Sequence, residues 1–216
     1  MRRRFVILGA LSALLAAGQL AVAWQSPPAT PGHQPPPLAQ SLSQVPTTAQ
    51  RPRVLGYQRS HFGRGWAADP SGCTTRHTQL QQQLAGTTVD ASCRIRGGQA
   101  TCPYTGAAIN STNVELDHVF PLAAAWDLGA ATWSEQQRIS FANDPDNLIV
   151  VATRANRDKS DQLPAEWMPP ASSARCWYAR KVAVVAARYQ LALTEEDIAT
   201  MKRSCLVREL PLRQLG

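Results

Sequence analysis

Residues 114–161 constrain the fold of this chain more than any other stretch. A short run over 114–120 reads as a strand that carries Glu115, Asp117 and His118, and 148–152 (Leu-Ile-Val-Val-Ala) reads as a buried strand. Residues 154–161 contain no helix breaker and read as a short helix, halted by Pro164 and then by Pro169 and Pro170. Neighbouring strand residues point to opposite faces, so Asp117 and His118 cannot both face one core, and packing does not account for the pair. Laid out as strand, strand and helix, the stretch brings one His, one Asp and two Asn (Asn147 and Asn156) within reach of one metal-sized site. A carboxylate and an amide oxygen are hard ligands suited to Mg²⁺, which keeps several waters and binds phosphate oxygens. A neutral imidazole beside them is the natural base.

The chain before this unit reads as an address and a spacer. Met1 to Arg4 is basic, the following residues are apolar almost to Ala23, and Ala21-Val22-Ala23 is an A-x-A exit site, so 1–23 reads as a signal peptide. An uncleaved anchor is the competing reading, because the apolar run is nearly long enough to span a bilayer. From Trp24 to Gln50 there are seven prolines and no charged residue, which reads as an extended spacer. The expected organisation is therefore signal 1–23, Pro/Gln-rich disordered linker 24–53 and one folded domain 54–216. The net charge of +7 falls to +4 once Arg2, Arg3 and Arg4 are set aside. So mild an excess favours polyanions without demonstrating that they bind. With 44% apolar residues the chain is neither collagen, coiled coil nor wholly disordered.

The remaining pattern alternates short strands and helices. Residues 73–85 read as a helix, and 89–101 as a hairpin turning at Gly97-Gly98. Residues 121–128 and 134–142 read as helices, the second capped by Ser134. The chain closes with helices over 173–189 and 194–205, the latter opening on a Thr194/Asp197 capping box. Five cysteines behind an export signal allow at most two disulfides and leave one thiol over. No C-x-x-C pair exists to suggest structural zinc, and the pairing stays open among fifteen arrangements.

The ordered set Asp117-His118-x-x-Pro-Leu, Asn147-Leu and Asn156-x-x-Lys159-x-Asp161 resembles the ββα-metal motif of HNH endonucleases, including the strand-cutting domain of RNA-guided CRISPR nucleases. More closely, the chain resembles secreted bacterial HNH proteins grouped with the C-terminal domain of GmrSD-type restriction enzymes. That likeness extends over most of 56–205, through Gly56-Tyr-x-Arg59, Phe62-Gly63, Trp66, Pro103-Tyr-Thr-Gly106, Ala125-Trp126, Phe141-Ala-Asn-Asp-Pro145 and Trp167-x-Pro-Pro170. It implies an α+β fold with a ββα-metal core, an N-terminal hairpin and helix region, and C-terminal helices.

The resemblance also implies roles. Asp117 and Asn156 would ligate one divalent cation, Mg²⁺ first, with Mn²⁺ or Zn²⁺ as alternatives. His118 would take the proton of the attacking water, and Asn147 would fix the loop that orients it. Lys159, Arg157 and Arg154 would contact substrate phosphates. By resemblance Cys73 pairs with Cys93 and Cys176 with Cys205, leaving Cys102 free; a Cys93–Cys102 bridge is the rival. Two positions depart from the family pattern: Asn156 stands at the third motif position where His is common, and Cys102 precedes Pro103.

The plain structural readings are weighed beside these. Lys159 is equally a solvated helix charge, Asn143 is a turn residue, and His61 and His77 are surface or structural residues. Trp66, Trp126, Trp133 and Trp167 are core residues or lids. Glu115 and Asp161 stay outside the catalytic set. The sequence thus points to an exported, metal-dependent endonuclease acting on DNA with little sequence preference, with RNA as the alternative substrate. It needs no cofactor nucleotide and has no stable membrane insertion once the signal is cleaved. A non-catalytic envelope-associated protein that holds metal or polyanion on an HNH-like fold is the competing function, and the intact Asp117, His118, Asn147 and Asn156 argue against it.

Overall fold

The computed structural model describes residues 34–206, so the expected signal segment and the start of the expected linker lie outside the described residues. The first element is α1 (Leu38–Leu42), entered from Pro37. Leu38 and Val45 are buried in the main core. After α1, β1 (Thr47–Thr48) runs parallel to a strand near the other end of the chain. This corrects the described part, 34–53, of the expected 24–53 spacer. The prolines flank a short apolar segment, Leu38, Leu42 and Val45, without interrupting it, and burying each such side chain is worth about 1.5–3 kcal/mol.

α2 (Thr75–Gln83) begins at a cap in which Thr74 N–H donates to His77 Nδ1 at 2.9 Å, which gives His77 its structural role. Two hairpins follow where one was expected. β2 (Thr88–Val89) pairs with β3 (Ile95–Arg96), and β4 (Gln99–Thr101) pairs with β5 (Ala108–Asn110). The first turn forms around Asp90, whose Oδ1 accepts from the N–H groups of Ser92 and Arg94 at 2.9 and 3.0 Å. Gly97-Gly98 therefore joins the hairpins and does not form a turn. A Cβ on Gly98 would lie 2.1 Å from Thr87 Oγ1, and its φ of +98° also requires glycine.

β6 (Val114–His118) leads into α3 (Leu122–Asp127) and α4 (Glu135–Ala142), where Ser134 Oγ accepts from Gln137 N–H at 3.2 Å as the N-cap. The chain returns in β7 (Leu148–Ala152), antiparallel to β6 with Leu116 opposite Val150 and His118 opposite Leu148. It then enters α5 (Thr153–Lys159) directly. α6 (Ser172–Tyr189) buries Val182, Val185, Ala186 and Tyr189. β8 (Leu193–Thr194), the partner of β1, precedes α7 (Glu195–Cys205). A Thr194/Asp197 capping box opens α7, with acidic residues in its first turn and Lys202 and Arg203 in its last, which complements the helix dipole.

The result is an α+β fold of helices around two-stranded sheets. Cys73 joins Cys93 and Cys176 joins Cys205, the same pairs that the resemblance implies, and Cys102 is a buried free thiol. Among the described residues no helix is long and apolar enough to cross a membrane.

Candidate active site

β6, β7 and α5 form a strand, strand, helix unit, and strand alternation sorts its chemistry. Glu115 and Asp117, two residues apart, meet α5: Asp117 Oδ1 accepts from Lys159 Nζ at 3.0 Å, and Glu115 accepts from Asn156 Nδ2 at 2.7 Å and Arg157 Nη2 at 3.2 Å. Asp117 Oδ2 also accepts from the Tyr104 hydroxyl at 2.7 Å. His118 lies elsewhere, with Nε2 2.9 Å from the Ala142 carbonyl and its ring stacked on Trp66 at 5.2 Å and 20°.

That contact fixes the tautomer of neutral His118. A carbonyl oxygen only accepts, so Nε2 carries the hydrogen and donates it, leaving the Nδ1 lone pair bare. Burial holds the imidazole pKa down to about 3; Arg59 and Lys159 push the same way and the Ala142 bond opposes them. The ring is therefore neutral at physiological pH.

Asn147 is fully buried and clamps the chain just past His118. Its Oδ1 accepts from Phe120 N–H at 2.8 Å and its Nδ2 donates to Phe120 O at 3.2 Å, while its own carbonyl accepts from Val119 N–H at 2.8 Å. The turn carrying Asn147 is pinned by Asp144, whose Oδ2 accepts from Arg188 Nη1 and the Tyr189 hydroxyl, both at 2.9 Å, at the end of α6. Asn143, expected in a turn, also accepts from Ala67 N–H at 2.8 Å, next to Trp66.

The donor set suits a hard cation. The Asn156 amide nitrogen is turned to Glu115, which leaves Oδ1 as its open donor, and Asn156 shares a hollow with Asp117 and His118. Each Asp117 oxygen keeps lone-pair capacity beyond its present bond. Among the described residues no group of three or more His, Cys, Asp and Glu is gathered for a metal.

Lys159 is not where a phosphate contact needs it. It is fully buried, and besides Asp117 it donates to His118 O at 2.8 Å. Helix α5 turns this position inward, so neither the phosphate contact nor the solvated charge describes it. Arg157 and Arg154 are exposed, the latter beside Asp158 at 3.8 Å.

Two hollows of about 560 and 430 Å³, each within the size range of ligand pockets, share Arg59, His118 and Leu122. One continues to Arg64 and Trp66, and the other to Tyr57, Asn156 and Asp161. Sequence reasoning left Glu115 outside the catalytic set and gave Tyr104 and Arg59 no role. Glu115 was findable, because a strand puts it on the face of Asp117; Arg59 and Tyr104 reach the site only through tertiary folding.

A family model described as GmrSD restriction endonucleases, C-terminal domain, matches residues 78–202. An uncharacterized secreted protein of Arthroderma benhamiae is 35% identical over 209 residues, which cover 94% of this chain and all of the relative. That relative is fungal, where the sequence resemblance pointed to bacterial proteins. No solved structure matches significantly.

Proposed function

Since the chain belongs to the family of GmrSD restriction endonuclease C-terminal domains, we propose that it is an exported HNH endonuclease that uses a divalent cation to hydrolyse phosphodiester bonds of DNA with little sequence preference. The observation that carries this reading is His118, anchored through Nε2 on Ala142 O where two hollows meet, so that its Nδ1 is left to act as a base.

Asp117 and Asn156 would hold the cation, preferably Mg²⁺, through a carboxylate and an amide oxygen. Bound there, it would supply charge stabilisation at the phosphoryl group and the leaving oxygen. His118 Nδ1 takes the proton of a water attacking phosphorus in line with the leaving oxygen. Asn147 holds the Phe120 backbone and hence the exit of β6, which keeps the imidazole in register. Glu115 orients the Asn156 amide so that oxygen is presented. Export through residues 1–23 agrees with the secreted relative and with two disulfides, which suit an oxidising compartment.

The test is relaxation and linearisation of supercoiled plasmid by the oxidised mature protein in Mg²⁺, Mn²⁺ or EDTA, beside His118→Ala. Metal-dependent nicking that disappears in folded His118→Ala is the expected result. A folded wild-type protein that leaves DNA intact with every cation overturns the reading.

A further inference from the structure

The turn between β4 and β5, residues 102–107, comes to the site from outside the strand, strand, helix unit. Cys102 N–H donates to Ala107 O at 2.7 Å and Gly106 N–H to Cys102 O at 2.8 Å, which closes the turn. Ala152 N–H, at the end of β7, donates to the Cys102 sulfur at 3.4 Å and docks the turn there. Tyr104 makes a second contact, its hydroxyl donating to Asp117 Oδ2 at 2.7 Å. Its ring is fully buried, edge-on to Trp167 at 5.1 Å and to Tyr178 at 5.5 Å, and its carbonyl accepts from Ala171 N–H at 3.1 Å. A packed ring on an anchored backbone thus delivers the hydroxyl.

The Asp117 carboxylate is held at both oxygens by groups from different parts of the chain, Lys159 of α5 at Oδ1 and Tyr104 at Oδ2. The torsion that turns a carboxylate about its Cβ–Cγ bond is soft, so one hydrogen bond leaves its plane free to swing and two fix it. The two donors differ in charge. Lys159 already balances the carboxylate, and a second cationic donor would repel the proposed divalent cation, whereas a phenol O–H holds the oxygen without adding charge. Tyr178, equally buried in the same ring cluster, has a hydroxyl without a hydrogen-bond partner among the described residues. Ring packing is common to both phenols, and the bond to Asp117 belongs to Tyr104.

We infer that Tyr104 is a positioning residue for the divalent cation: its hydroxyl fixes the Asp117 carboxylate in the orientation that binds the metal. The inference rests on the proposed role of Asp117 as a ligand and deepens it, and cation binding tests it without any cleavage.

The experiment compares wild-type, Tyr104→Phe, Tyr178→Phe and Asn156→Ala as full oxidised chains, after circular dichroism has shown equal folding. Mn²⁺ binding is measured without DNA from the electron paramagnetic resonance of the free ion, and plasmid cleavage is followed against Mn²⁺ concentration. Tyr104→Phe should raise the Mn²⁺ Kd by about 10–100-fold, as when a hydrogen bond to a metal ligand is removed. The Mn²⁺ concentration for half-maximal cleavage should move with it, and most of the rate should return at high Mn²⁺. Tyr178→Phe, which removes a hydroxyl from the same cluster without touching Asp117, should bind Mn²⁺ as wild-type does, and Asn156→Ala should bind it weakly. A wild-type Mn²⁺ Kd in Tyr104→Phe overturns the inference, as does an equal loss in Tyr178→Phe, which would report a loosened cluster. A wild-type protein that binds no Mn²⁺ removes the inference together with the ligand role of Asp117. One that binds Mn²⁺ yet cuts no DNA overturns the nuclease reading alone, and the Kd of Tyr104→Phe still decides the inference.

Discussion

Lys159 Nζ lies 3.0 Å from Asp117 Oδ1, with side-chain exposures of 0% and 6%, so the ammonium exists in this site only as a partner for the carboxylate and for the His118 carbonyl. Burial pushes the Asp117 carboxyl above the ordinary carboxylate range, while the Lys159 charge and the Tyr104 and Lys159 hydrogen bonds pull it back. Removing one member of such a pair strands the other. Lys159→Met should cost about 3–5 kcal/mol of stability. Asp117→Asn in the same chain should return part of that loss. Urea midpoints of the two single variants and the double variant measure the coupling, and additive losses would show that the pair is energetically idle.

In the proposed reaction Asn147 would support activity without meeting substrate. Asn147→Ala leaves the buried Phe120 N–H without its partner, at a cost of about 1–3 kcal/mol. It should also slow plasmid cleavage strongly at temperatures where the variant remains folded. Asn147→Asp should be worse than Asn147→Ala in stability, because it turns a carboxylate oxygen toward Phe120 O where an N–H now donates. Thermal melts beside cleavage at a fixed low temperature separate the two effects. Wild-type cleavage in folded Asn147→Ala would remove its positioning role.

What the sequence made legible followed from local rules. Ser134 capping α4, the Thr194/Asp197 box opening α7 and the apolar face of Val182, Val185, Ala186 and Tyr189 are short-range signals, and each stands where expected. The Asp117 to Asn156 spacing was equally readable because β6, β7 and α5 are built from neighbouring segments. Long-range partners left no such trace. Nothing near Lys159 in sequence says that its ammonium will be buried against a strand 42 residues earlier. The glycine pair 97–98 misled because turn residues mark a link between hairpins as readily as the turn inside one.

The proline tract gives a prediction of its own. Leu38 and Val45 are buried in the main core, and Leu193 N–H donates to Pro46 O at 3.0 Å, so residues before Arg51 close one side of the fold. A chain beginning at Arg51 should lose about 3–6 kcal/mol relative to one beginning at Trp24, from two apolar side chains no longer buried. Equal urea midpoints for the two chains would return this segment to the role of a spacer.

The disulfides differ in what they hold. Cys176–Cys205 is buried and ties α7 to α6, the helix whose Arg188 and Tyr189 pin Asp144 and, through its turn, Asn147. Cys73–Cys93 links the start of α2 to the tip of the first hairpin, away from that chain of contacts. The closed loops are similar in length, so loop entropy gives each bridge about 3–4 kcal/mol. Cys205→Ser should nevertheless be the more costly change, since it also leaves Cys176 unpaired in the core and loosens the support of the His118 turn. Mild reduction should therefore lower plasmid cleavage mainly through this bridge, with the loss of activity in reduced wild-type protein matching that in Cys205→Ser. Such dependence would keep a nuclease of this design weak in a reducing cytosol and strong after export. Equal cleavage before and after full reduction, verified by thiol counting, would reject both the ranking and the protective role.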